Sequence, residues 1–167
     1  MKLTQKLYEA LNAQMVMEYE ASGIYLQMGA WADSQDLSGC AAFLFEHTEE
    51  ERMHGRKIFD YLLEREAMPI MRSLIEPKSD YTNVKEVFES VYVHECKVTA
   101  SIEALAHLAW EEKDLTTFSF LQWYIDEQRE EEALTSAIVG KVNIIGIEGA
   151  NLYLFDEFVG SKINAQK

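Results

Sequence analysis

The chain has 167 residues, 48% of them hydrophobic, 11% aromatic and only two of them proline, enough to bury the core of one helical domain. Twenty-nine acidic against 15 basic residues leave a net charge of −14, a field that repels nucleic acid and anionic lipid and concentrates cations. The aromatic content and unbroken apolar pattern exclude a disordered acidic chain, and no run approaches ~18 consecutive apolar residues, so no membrane span is expected.

The first segment, MKLTQKLYEALNAQ, is amphipathic, carries Glu9 and has no apolar signal core, so a cytoplasmic protein is expected. The spacing predicts long amphipathic helices over about 4–32, 38–66, 84–112 and 116–141, and a shorter one over about 150–159. Breakers separate them: DSQDLSG, MPIMRSLIEPKSDYTN, KDLTT, and a segment holding Gly140, Gly146 and Gly149. Cys40 and Cys96 fall far apart in predicted helices without a CxxC, as small buried thiols of a reducing compartment would. One domain spanning residues 1–167 is expected.

Loop lengths set the topology. The short first and third connections make antiparallel neighbours. The second holds both prolines in about 17 residues and reaches ~55 Å when extended. A helix of ~27 residues is ~40 Å long, so this connection can cross the whole bundle and leave the second and third helices parallel.

Steps of three and four along each helix trace its core stripe. The first runs Leu7, Leu11, Gln14, Glu18, Ala21, Tyr25, Met28, Ala32, and the second Leu44, His47, Glu51, His54, Ile58, Tyr61. The third runs Phe88, Val91, Glu95, Val98, Ile102, Leu105, Ala109, and the fourth Leu121, Tyr124, Gln128, Glu131, Thr135, Ile138. Each is interrupted near its middle. In a four-helix bundle the breaks meet in one buried layer of Glu18, Glu51, His54, Glu95, Gln128 and Glu131, while Glu49 and Arg52 point outward.

Four carboxylates cannot share a dry core unaided, since burying one ionised group costs several kcal/mol. Protons would relieve this in part; two divalent cations would cancel the four formal charges. Carboxylates with a single imidazole suit iron or manganese better than structural zinc. One Glu from each of two helices, with an i, i+3 pair from each of the others, is the dimetal pattern of ferritin-like bundles. An ExxH on a Glu-rich helix can be a surface accident, and a buried polar network is the other alternative. Here ExxH occurs once, Glu51 to His54, in register with the other breaks.

The motifs QMVMEYEASGIY at 14–25, EEERMH at 49–54, YVHE at 92–95 and FLQWYIDEQREEE at 120–132 resemble those of bacterial non-haem ferritins, in order, spacing and placement. The resemblance covers nearly the whole chain and implies an all-α, ferritin-like four-helix bundle with a long crossover and a short fifth helix. It implies a ferroxidase centre oxidising Fe(II) with O2 or H2O2: Glu18, Glu51 and His54 on one iron with Gln128 nearby, Glu51 bridging, and Glu95 and Glu131 on the second. Tyr25 would stand beside the pair as a donor of a hydrogen bond or an electron, or as a core aromatic with its hydroxyl satisfied. A third iron site would fall at Glu50, Glu127 and Glu130, unless these form only a solvated acidic flank. The ferric mineral would fill a hollow shell of twenty-four chains.

Two departures set the chain apart from bacterioferritins. Where those resemble EMxH and bind haem through the methionine, Arg52 stands here, and Met53 lies roughly 100° round the helix. Their second pair closes with ExxH; here it runs from Gln128 to Glu131. No haem is therefore expected. The last helix puts Leu152, Phe155 and Phe158/Val159 on one stripe, for an assembly contact at a fourfold axis or for packing on its own bundle. Trp31, Trp110 and Trp123 are expected in the core or at interfaces. The competing functions are a diiron enzyme acting on an organic substrate, which needs a pocket beside the metals, and an acidic helical scaffold. DNA protection lacks a basic tail.

Overall fold

The computed structural model describes residues 2–163. Five helices follow in order: α1 Gln5–Ser34, α2 Ser38–Glu64, α3 Val84–Glu111, α4 Leu115–Ile145 and α5 Ala150–Gly160. Local side chains start three of them. Thr4 Oγ1 accepts from Leu7 N, Asn83 Oδ1 from Glu86 N and Asp114 Oδ1 from Thr117 N, each satisfying a donor that the first turn leaves open. Leu37 before α2 has no such atom. A carboxylate from the far end of the chain takes its place: Asp156 of α5 accepts from Gly39 N at 2.9 Å and Cys40 N at 2.8 Å.

The helix ends depart from the glycine rule. After α1, α2 and α3 the chain turns through Asp36, Glu66 and Lys113, all at positive φ. Each turn closes with a bond back five residues, Leu37 N to Ala32 O, Ala67 N to Leu62 O and Asp114 N to Ala109 O, the Schellman pattern. Gly140, expected as a breaker, lies inside α4, which runs on to Ile145 and ends at Gly146 with φ 77°.

Contacts between helices fix their directions. Ser22 Oγ donates to Thr48 O, and Gly55 faces the Tyr19 ring, so α1 and α2 are antiparallel. Gln14 meets Ser101, and Tyr25 meets Glu95, so α3 also opposes α1 and lies parallel to α2. Tyr61 meets Thr117, Tyr124 meets the His54 carbonyl and His47 meets Glu131, which makes α4 antiparallel to α2. The crossover runs along α1: Tyr8 donates to Met68 O, Asn12 exchanges two hydrogen bonds with Ile70, and Ile75 N donates to Glu20.

Every residue of the four stripes is buried. The apolar ones separate into two clusters, one around Met28, Phe43, Phe88 and Ile138 and one around Leu11, Ile58, Ile102 and Leu121. The polar breaks lie between them. In α5, Phe155 and Val159 are buried in the first cluster, with Leu152 and Phe158 partly covered, while Tyr153 and Leu154 stay exposed. Of the indoles, Trp31 packs against the first cluster, while Trp110 is 60% and Trp123 39% exposed.

Candidate metal centre

The layer between the clusters draws Glu18 from α1, Glu51 and His54 from α2, Glu95 from α3, and Gln128 and Glu131 from α4. None is more than 5% exposed. Burial of the flanking apolar residues carries them inward, because each occupies a stripe position that cannot face water without exposing its neighbours.

The hydrogen bonds are unevenly shared. Gln14 Nε2 donates to Glu18 Oε1 at 2.9 Å. Both oxygens of Glu95 are engaged, one by the Tyr25 hydroxyl and the other by Gln128 Nε2 at 3.1 Å. By contrast Glu18 Oε2, Glu51 Oε2 and Glu131 Oε2 are buried with no hydrogen-bond partner among the described residues. His54 Nδ1 stands 3.4 Å from Glu51 Oε2, and Glu18, Glu51 and His54 each offer a donor atom within 4.8 Å of the others.

A second group adjoins the first. His47, 1% exposed, stacks on Phe43 with ring centroids 4.0 Å apart. Its Nδ1 donates to the Phe43 carbonyl at 3.0 Å, which turns Nε2 toward Glu131 at 3.4 Å and Glu50 at 3.7 Å. Of the three acids expected in a third site, Glu50 is here. Glu127 stands 3.8 Å from His54 Nε2 with its side chain 31% exposed, and Glu130 points to solvent beside Arg129. Glu49 and Arg52 point outward, as their stripe positions predict, and pair on the surface.

The electrostatics record the strain of this crowding. Burial, then the neighbouring Glu51, pushes the Glu18 carboxyl well above its ordinary range; burial, then Glu95, does the same to Glu51. Glu95 rises from 4.5 to about 7, chiefly through burial; the Tyr25 hydroxyl opposes the rise and the Glu131 charge adds to it. For His47, burial disfavours the cation, but the carboxylates of Glu131 and Glu50 outweigh it and raise the imidazole to about 9. Such a layer holds protons or cations. Unpartnered oxygens converging with an imidazole nitrogen, and no thiolate among them, form a donor set fitted to iron or manganese.

Spacing overlooked three residues of this centre. His47 and Gln14 were visible as polar positions on their stripes, four residues before Glu51 and Glu18. Half-buried Ser101, whose hydroxyl donates to Gln14 Oε1 at 2.5 Å, carried no such signal. A cavity of about 480 Å³ opens between α1, α3 and the crossover, lined by Ile24, Met28, Pro77, Tyr81, Val93 and His94 among others, but by no glutamate of the buried layer. No helix of the described residues is long and apolar enough to cross a membrane.

A family profile described as the ferritin-like domain matches residues 8–145. A probable bacterial non-haem ferritin-like protein of Haemophilus influenzae is 42% identical over 95% of this chain and 96% of its own length. The bacterial non-haem ferritin of Escherichia coli is 39% identical over 93% of this chain and 94% of its own. Among solved structures, an open-pore ferritin from the archaeon Archaeoglobus fulgidus superposes with a TM-score of 0.91 at 37% identity, covering 95% of this chain and 96% of that one.

Proposed function

The chain belongs to the ferritin family, and from that premise we propose that it stores iron, oxidising Fe(II) at the buried layer and holding the product as a ferric mineral inside a homo-oligomeric shell. The observation that carries this reading is the pair of buried donor groups, Glu18–Glu51–His54 and His47–Glu50–Glu131, in which Glu18 Oε2, Glu51 Oε2 and Glu131 Oε2 make no hydrogen bond among the described residues. Residues 1–167 act as one ferritin-like domain.

Iron is the substrate. Glu18, Glu51 and His54 take one Fe(II), and Glu95 and Glu131 the second, with Glu51 between them and Gln128 alongside. His47 and Glu50 hold a third cation next to Glu131, with Glu127 beside His54 and Glu130 toward solvent as outlying carboxylates. Each Fe(II) gives up one electron, so a pair supplies the two that take O2 to hydrogen peroxide, or hydrogen peroxide to water. The protein's part is to hold the pair together, which replaces a chance encounter with a fixed geometry, and to match its charge as it rises. Carboxylates suit that second task because hard oxygen donors bind Fe(III) more strongly than Fe(II).

The shell is a twenty-four-chain cage in the cytoplasm, free of haem because Arg52 occupies the position of the ligating methionine. Storage is tested by aerobic loading with Fe(II) in large excess over the sites, followed by sedimentation. Ferric iron travelling with the assembled protein is the expected result. Iron that precipitates or elutes apart from the protein refutes storage.

A further inference from the structure

Among the glutamates of the buried layer, Glu18 is held in a particular way. Gln14, one turn earlier on α1 and 2% exposed, donates from Nε2 to Glu18 Oε1 at 2.9 Å. The other end of that carboxamide accepts from Ser101 Oγ at 2.5 Å across the α1–α3 interface. Apart from Glu18, Gln14 Nε2 has a contact at 3.9 Å to Met17 Sδ, a weak acceptor.

A carboxamide presents a donor at one end and an acceptor at the other, and reversal by rotation about its last torsion costs little unless a neighbour selects one sense. The Glu18 carboxylate, which only accepts, takes the amide nitrogen, and Ser101 anchors the other end of the amide on α3. Were the amide reversed, a carbonyl oxygen would meet the carboxylate and repel it. One oxygen of Glu18 is therefore committed to Gln14, and the other, Oε2, is left bare beside Glu51 and His54. Glu95 differs, because Tyr25 and Gln128 occupy both its oxygens.

We propose that Gln14 and Ser101 are positioning residues, a relay from α3 through α1 that holds Glu18 as a ligand through one oxygen and so sets the affinity of the Glu18–Glu51–His54 site for its cation. The proposal rests on the dimetal reading above. It separates the two halves of the centre: the relay hydrogen-bonds to the first, and among the described residues it makes no hydrogen bond to Glu95 or Glu131. The first cation enters where three donor atoms already converge, and the second must displace a hydrogen bond of Glu95.

The test is an anaerobic titration of the metal-free protein with Co(II), followed by its visible d–d absorption, with thermal unfolding of each metal-free variant as a control on folding. Ser101→Ala removes the anchor of the Gln14 amide on α3, loosens its hold on Glu18 and weakens the first Co(II) by on the order of tenfold, within the range for partners of metal ligands, while the second ion binds as in the parent. Ser101→Thr keeps the hydroxyl and binds like the parent. Gln14→Leu, which removes the donor itself, loses at least as much as Ser101→Ala. Unchanged first-ion affinity in Ser101→Ala overturns the relay, as does equal weakening of both ions or an equal loss in Ser101→Thr. A parent protein that takes up no Co(II) fails at an earlier step and sinks the dimetal reading along with the relay.

Discussion

Cation binding at the buried layer must expel protons, and the dependence can be worked out for Glu95. Its carboxyl is held at about 7, so about nine chains in ten carry that proton at pH 6 and about one in ten at pH 8. A cation that uses Glu95 has to displace it. The affinity for Zn(II), a probe that does not change oxidation state, should therefore fall about tenfold from pH 8 to pH 6 on account of this one group. Glu18 and Glu51, also held above their ordinary range, can only steepen the fall. Calorimetric titration of the metal-free protein in buffers of different ionisation enthalpy counts the protons directly. About 0.9 should leave Glu95 at pH 6 and about 0.1 at pH 8. Equal affinity and no proton release across this range would show that the carboxylates are not crowded in the metal-free chain, and the electrostatic reasoning would fail.

The same proton governs stability with the opposite consequence for the metal-free chain. The folded state binds it more tightly than the unfolded state, whose carboxyl titrates near 4.5, so this contribution is intact below pH 4.5 and is lost as pH rises through about 7, a loss of about 3 kcal/mol. Thermal unfolding without metal should thus weaken between pH 5 and pH 8, and saturating Zn(II) should remove the decline. At Gly39 a Cβ would lie 2.2 Å from Asp156 O, so Gly39→Ala should drive α5 off the start of α2. Loss of the Asp156 bonds to Gly39 N and Cys40 N then costs about 1 kcal/mol or more, and hydrogen exchange at those two amides should accelerate. Glu66→Gly and Lys113→Gly place the residue suited to positive φ at these helix ends, and each should raise stability to denaturant by about 1 kcal/mol.

What could be read from the sequence was whatever repeats at short range. Leucines, valines and alanines three and four apart define the stripes, and a stripe carries its polar members inward with it. That is why Glu18 and Glu95, seventy-seven positions apart in the chain, could be assigned to one layer from spacing alone. The long connection between α2 and α3 had only to span a helix, a matter of length. Features made by a distant partner stayed hidden. Nothing near Leu37 announces that Asp156 will cap α2, and nothing in Ser101 points to Gln14. The ends at Asp36, Glu66 and Lys113 lack glycine because a Schellman turn tolerates other residues at a cost in backbone strain. Gly140 misled in the other direction, since a glycine within a packed helix costs only about 1 kcal/mol and burial of Ile138 and Val142 on either side outweighs it.

The proposed pairing of two irons for oxidation at the buried layer can be read in a single experiment. Its most direct test adds about two Fe(II) per chain without oxygen, then admits oxygen and follows near-ultraviolet absorbance on the fast time scale. A rapid phase that saturates near two per chain and disappears in both Glu95→Ala and His54→Ala is the expected result. Oxidation no faster than in buffer, unaltered by either substitution, would contradict it and leave an acidic helical scaffold in its place.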